Sequence, residues 1–134
     1  ARASELDEAA MRGEGTEAEA LEALGLFWPS YFADPSAAPP MPPIRISLPV
    51  QAEMFPDITT QLPALESALP DVEVPLGVVV GELSPMPPQE AGLDSAALVP
   101  AAWGISVPGA GHFVWLEAPG SILAAMERLS GAAG

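Results

Sequence analysis

The chain contains a single histidine, His112, and neither cysteine nor lysine among its 134 residues. His112 follows a short apolar stretch, within the segment Pro-Gly-Ala-Gly-His-Phe at residues 108–113. A neutral imidazole is well suited to moving one proton near neutral pH. Glycines beside it let the backbone turn sharply and approach a pocket closely. We therefore take His112 as the candidate catalytic residue, against the alternative of a purely structural histidine.

The residue types that the chain lacks exclude several other kinds of site. Without cysteine there is no disulfide, thiol nucleophile or thiolate metal site, and the cellular compartment stays undecided. Without lysine there is no phosphate-loop nucleotide site and no Schiff-base chemistry. The carboxylates show no metal-ligand spacing, and Val114 interrupts a dinucleotide-binding glycine pattern. We expect no metal and no other cofactor.

The charge of the chain limits its possible partners. Four arginines against eighteen acidic residues give a formal net charge of −14. Nucleic acids and anionic membranes attract basic patches, so we expect neither as a partner. The uninterrupted apolar runs are also far shorter than the roughly 18 residues of a membrane span.

The first third of the chain divides into a helical part and a proline-rich part. Thr16 and Glu19 have the spacing of a capping box, which predicts that a helix begins there. An apolar stripe at helical spacing follows this start, and together with residues 4–12 it predicts that residues 1–32 are helical. The stripe consists of Leu21, Leu24, Phe27, Trp28 and Tyr31. Residues 33–58 hold seven of the seventeen prolines, which predicts an extended and irregular excursion.

The remaining sequence predicts alternating helices and strands. A helix capped by Thr59 or Thr60 comes first, followed by an uninterrupted apolar strand at residues 75–81. A helix at 92–98, a strand at 103–107 and a helix at 119–129 complete the order. The two strands are separated by enough residues for a crossover helix, so we expect a parallel pair in an α/β fold.

Two parallel strands are too few for a stable sheet that is covered on both faces. The segment at 44–50 is a weak third candidate and is interrupted by Pro49. We therefore expect the remaining strands to come from another polypeptide or from a segment that precedes Ala1. The alternative is a small self-sufficient domain with an unusual two-stranded core.

The region around His112 resembles the histidine loop of the α/β-hydrolase fold. The resemblance lies in Gly-Ala-Gly-His-Phe at 109–113, in Trp-Leu-Glu-Ala-Pro at 115–119 and in the strand at 74–82. It implies that residues 59–134 are a C-terminal hydrolase lobe that carries the catalytic histidine. Residues 1–58 then correspond to a mainly helical cap with the proline-rich excursion.

One part of the hydrolase pattern is missing. A Gly-x-Ser-x-Gly nucleophile elbow is not found; in the nearest segment, 104–108, Pro108 replaces the second glycine and Ser106 lies within a strand. The resemblance therefore implies that an N-terminal hydrolase lobe, present as a second chain, supplies the nucleophile and the oxyanion hole.

The sequence also leaves undecided which residue is the acid of the catalytic triad. The family usually places an aspartate shortly after the penultimate strand, and Ser84 occupies that position here. A hydroxyl accepts a hydrogen bond but does not stabilise an imidazolium as a carboxylate does. The acid then lies on a preceding strand before Ala1, or it is Glu82, or it is Asp94 or another carboxylate.

The resemblance therefore implies a hydrolase of a small apolar ester, lactone or amide, with His112 as the base and a pocket lined by Trp28 and Phe113. Epoxide hydrolysis and dehalogenation use the same scaffold and stay open as alternatives. A further alternative is a non-hydrolytic module that binds a ligand on this scaffold, with Ser84 in place of the acid.

Overall fold

The computed structural model describes residues 2–132 and begins with two adjoining helices, α1 (Arg2–Met11) and α2 (Glu17–Phe27). The predicted capping box is present. The Thr16 hydroxyl accepts a hydrogen bond from the Glu19 amide at 3.2 Å, and the Glu19 carboxylate accepts one from the Thr16 amide at 2.8 Å. These contacts satisfy two backbone donors where α2 begins.

The irregular excursion after α2 is shorter than the sequence predicts. It contains two 3₁₀ turns, Trp28–Tyr31 and Pro35–Ala37, and an extended stretch as far as residue 47. Helix α3 then begins at Leu48 and ends at Ala68. Pro49 lies in its first turn, where no intrahelical bond needs its amide, so it helps to begin a helix instead of interrupting a strand.

Helix α3 also continues through Pro56 and Pro63, so the prediction of a helix that begins at Thr59 or Thr60 is wrong. The hydroxyls of both threonines donate to carbonyls four residues earlier, at 2.8 Å, instead of capping a helix end. The prolines remove two amides from the helix, but residues 56–68 are exposed and water can reach the carbonyls that lose a partner. The expected boundary between cap and lobe, at residue 58, falls within this helix.

The predicted parallel strand pair is confirmed. Strand β1 (Leu76–Gly81) pairs in parallel with β2 (Ala102–Val107), and the register runs from Leu76 opposite Ala102 to Gly81 opposite Val107. A π-helical turn, Gln89–Leu93, and α4 (Asp94–Leu98) form the crossover between them. The carboxyl ends of both strands therefore lie side by side.

The largest buried group of the sheet region forms where β2 ends. Val107, Ala110 and Val114 pack together, with half-buried apolar side chains around them. Two helices complete this region: α5 (Val114–Glu117) and α6 (Pro119–Ala132). The loop that carries His112 therefore lies directly on this core.

The described residues form a mixed α/β structure that is mostly helical and has two parallel strands. Within residues 2–132 the outer edges of the two strands have no neighbouring strand. Several large apolar side chains are also exposed, among them Val74 (65%), Leu123 (60%) and Met126 (62%). Every helix in this part of the chain is too short or too polar to cross a lipid bilayer.

Candidate functional site

His112 lies on the loop that follows β2 and is fixed at both its backbone and its ring. Its amide donates a hydrogen bond to the Tyr31 carbonyl at 2.7 Å. The Nδ1 atom of its ring lies 3.2 Å from the Ser84 hydroxyl, and the ring itself is half-buried. Within residues 2–132, Nε2 has no hydrogen-bond partner. One ring nitrogen is thus held by the protein and the other can serve a ligand.

Ser84 reaches the imidazole because a tight turn follows β1. The Ser84 amide donates to the Gly81 carbonyl at 3.1 Å, and the Ser84 hydroxyl accepts a hydrogen bond from the Met86 amide at 3.2 Å. The Ser84 hydroxyl is therefore held between the Met86 amide and the Nδ1 atom of His112. The side chain that contacts the imidazole of His112 is thus a neutral hydroxyl.

The two carboxylates of this chain that are candidate acids, Glu82 and Asp94, have other hydrogen-bond partners. Glu82 Oε2 accepts a hydrogen bond from the Gly109 amide at 3.0 Å, so this carboxylate supports the backbone of the histidine loop. Asp94 pairs with the side chain of Gln89 at the start of α4. Within residues 2–132, His112 has a hydroxyl and no carboxylate as its side-chain hydrogen-bond partner.

The loop after β1 and the histidine loop are in direct backbone contact. A Cβ atom on Gly81 would lie only 1.8 Å from the Gly111 carbonyl oxygen, so glycine is required at this close approach. The Leu83 amide donates to the Ala110 carbonyl at 2.9 Å. This contact places Ser84 beside the imidazole.

Aromatic side chains surround Phe113, the residue after the histidine. Trp28, Phe32 and Tyr31 have ring centroids 5.0, 5.3 and 5.6 Å from that of Phe113. Trp28 is buried, and its Nε1 donates to the Pro39 carbonyl at 2.7 Å. Because offset and tilted ring pairs of this spacing are attractive, the cluster joins the helical part to the histidine loop.

The turn after this aromatic segment is also fixed. The Ser36 hydroxyl and amide donate to the Asp34 carboxylate at 2.7 and 2.9 Å. These hydrogen bonds, that of the hydroxyl above all, hold the pKa of Asp34 below its usual value. The negative charge of Asp34 is thereby committed to the local turn.

A cavity of about 560 Å³ lies against His112. Both residues predicted for the pocket, Trp28 and Phe113, line it together with the histidine. The side chains that complete its wall are almost all apolar: Leu24, Tyr31, Pro42, Ile44, Met86, Trp115 and Leu116. Of these, Pro42, Ile44 and Met86 belong to irregular segments, where no periodic pattern in the sequence could have pointed to them.

The cavity therefore suits a small, mainly apolar molecule that lies against the imidazole of His112. The polar groups of the cavity wall are the imidazole, the Tyr31 phenol and the indole rings of Trp28 and Trp115, and among residues 2–132 no Asp, Glu, Lys or Arg lines it to recognise an ionic ligand. Within residues 2–132 no three His, Cys, Asp or Glu side chains form a group that could hold a metal ion.

Comparison with known proteins adds no relative. A scan against models of protein families, a search of curated proteins and a search of solved structures each found no match to this chain. What the site can do therefore follows from its own residues and geometry.

Proposed function

We propose that this chain supplies the histidine of a hydrolase that cleaves a small apolar ester, lactone or amide. The observation that carries the proposal is the position of His112: one ring nitrogen is held by Ser84, and the ring forms part of an apolar cavity. Such an imidazole takes the proton from a nucleophile and later activates the water that releases the acyl group.

The nucleophile and the oxyanion donors belong, in this proposal, to an N-terminal hydrolase lobe that assembles with this chain. The sequence has no nucleophile elbow. Within residues 2–132 the sheet also has two strands with open edges, and open edges pair with further strands. The resemblance of residues 74–129 to the last part of an α/β-hydrolase fold supports the same arrangement.

The third member of the triad also comes from that lobe. Ser84 orients the imidazole, but a hydroxyl gives the developing imidazolium far less stabilisation than a carboxylate. Glu82 and Asp94 are engaged with other partners. We therefore place the acid on the strand that pairs with this sheet, and the chemistry of the nucleophile decides between ester, epoxide and carbon–halogen cleavage.

A second candidate function is the binding of an apolar ligand without hydrolysis. The neutral contact between Ser84 and His112 favours it, because an imidazole without a carboxylate is a weak catalytic base. The same cavity would then hold a small apolar molecule, with His112 as a hydrogen-bonding group.

The test begins with the protein as it is purified from its source. Mass spectrometry identifies a second chain, and turnover of p-nitrophenyl esters measures activity. In an active assembly we expect His112→Ala to lower kcat by about 10³-fold or more, as loss of a triad member does.

Glu53→Gln is the matched control, because Glu53 is exposed on α3 and we expect its replacement to leave kcat unchanged. A His112→Ala assembly with full activity would show that the catalytic assignment is wrong. An assembly that binds an apolar fluorescent probe without turning over any ester would favour the binding function.

A further inference from the structure

The carboxylate of Glu117 joins two segments of the chain that meet at the cavity. Its Oε2 accepts a hydrogen bond from the Gly111 amide, and its Oε1 accepts one from the Ala33 amide, both at 2.8 Å. Glu117 ends α5 and is half-buried. One side chain thus holds the residue before the histidine and a residue 84 positions away in the sequence.

The same two segments are also in direct backbone contact. The His112 amide donates to the Tyr31 carbonyl at 2.7 Å. A Cβ atom on Gly111 would lie 2.5 Å from that carbonyl oxygen and 2.7 Å from the Ala33 nitrogen, so glycine is needed here. Glu117 therefore adds a second link, through Gly111, which precedes His112, and through Ala33, two residues after Tyr31.

A carboxylate suits this position because both of its oxygens accept and neither donates. Hydrogen bonds to an ionised acceptor are also stronger than those between neutral groups. An amide in its place has one acceptor oxygen, so Ala33 or Gly111 would lose its partner. The nearest acid along the chain to Ala33 is Asp34, whose carboxylate is already bound by Ser36.

We propose that Glu117 is a positioning residue, which sets the place of His112 beneath Tyr31 at the wall of the cavity. The two rings have centroids 5.4 Å apart. Glu117 acts through the backbone of Gly111 and Ala33 and does not itself line the cavity. Its effect on catalysis rests on the proposed function, whereas its effect on the place of the imidazole does not.

The first measurement follows the imidazole directly. Because His112 is the sole histidine of this chain, labelling only this chain with ¹⁵N makes its ring signals identifiable in a ¹H–¹⁵N spectrum without assignment by mutation. We expect Glu117→Gln to shift these signals and to speed the hydrogen exchange of the Gly111 or Ala33 amide by about tenfold or more, as loss of a charge-assisted hydrogen bond does. Glu53→Gln, the exposed control, leaves both unchanged.

The second measurement uses the assembled hydrolase and an ester substrate. We expect Glu117→Gln to lower kcat about tenfold while KM stays within about twofold, since the base is misplaced but the apolar cavity is kept. Glu117→Asp keeps the charge but is one methylene shorter, so it retains one of the two hydrogen bonds. If circular dichroism shows that the glutamine variant does not fold, the aspartate variant carries both measurements.

Unchanged ring signals in a folded variant overturn the proposal. So does a variant in which KM rises while kcat is unchanged, because Glu117 would then shape only the cavity. A wild-type assembly without ester turnover refutes the proposed function alone, since the ring signals still decide the role of Glu117.

Discussion

The contact between Ser84 and His112 determines how the imidazole is oriented in the candidate site. The Ser84 hydroxyl lies 3.2 Å from Nδ1 and also accepts a hydrogen bond from the Met86 amide. A contact of this kind fixes the rotation of the ring but supplies no negative charge. In the proposed hydrolase its contribution to catalysis is therefore that of one neutral hydrogen bond.

We expect Ser84→Ala to lower kcat about three- to tenfold with KM unchanged, because one neutral hydrogen bond contributes about 0.5–1.5 kcal/mol. Ester turnover by the assembled protein measures this, and Ser95→Ala, at an exposed serine of α4, is the control. A loss of about 10³-fold would instead make Ser84 a full triad member. A large gain in Ser84→Asp would mean that the companion lobe supplies no acid.

Sequence reasoning identifies the individual residues of this site better than it identifies their surroundings. His112 stands out by its type and its flanking glycines, which are local signals, whereas Ser84 enters only through the resemblance, as the residue in the position of the expected acid. The cavity residues Pro42, Ile44 and Met86 carry no such signal. They meet only after segments far apart in the chain have packed, which no periodicity encodes.

At the scale of elements, the end of β1 determines where the histidine loop lies. Gly81, the last residue of β1, touches the backbone of Gly111, and a Cβ atom would lie 1.8 Å from the carbonyl oxygen of Gly111. A backbone group on a buried core cannot move aside as a flexible side chain can. The two loops can therefore approach this closely only because residue 81 is a glycine.

We expect Gly81→Ala to lower the free energy of unfolding by about 1–3 kcal/mol, the usual cost of an overpacked site. It also separates Ser84 from His112, so the imidazole signals shift. Gly120→Ala in α6 is the matched control, because nothing lies within 4 Å of the added Cβ and alanine favours a helix. Denaturant unfolding compares the two variants, and equal effects would contradict the close contact.

The elements that the sequence predicts correctly are those with a strong local pattern. The capping box begins α2, and the uninterrupted apolar run becomes β1. Of helix α3 the sequence predicts only the second part, because the earlier prolines resemble breaks. Pro49 lies in the first turn of the helix, and Pro56 and Pro63 lie where the helix is exposed to water. Whether a proline interrupts a helix depends on this exposure, which is set by tertiary packing and cannot be read from the local sequence.

At the scale of the whole molecule, the described residues leave much apolar surface uncovered. No large side chain of residues 2–132 is fully buried, and Leu123 and Met126 on α6 are about three-fifths exposed. A chain with a formal net charge of −14 also repels itself when compact. A second lobe would cover the exposed apolar surface, and this gain in burial is the physical reason for the proposed assembly.

The strand edge gives this proposal a definite geometry. The Leu76 amide donates to the Ala101 carbonyl at 3.4 Å, and the Glu82 amide donates to the Val107 carbonyl at 3.0 Å. Because successive amides of a strand point to opposite sides, the even-numbered amides of β1 face β2. The odd-numbered amides face the open edge, where a strand of the companion lobe would accept their hydrogen bonds.

We therefore expect the amides of Gly77 and Val79 to exchange hydrogen rapidly in the isolated chain and at least about tenfold more slowly in the assembly, since each gains a hydrogen bond there. The amides of Val78 and Val80 are the internal controls, because β2 already occupies their side of the same strand. Residue-resolved hydrogen exchange measures all four together. If Gly77 and Val79 exchange equally in both states, the lobe does not extend the sheet at β1, and the hydrolase assignment loses its structural support.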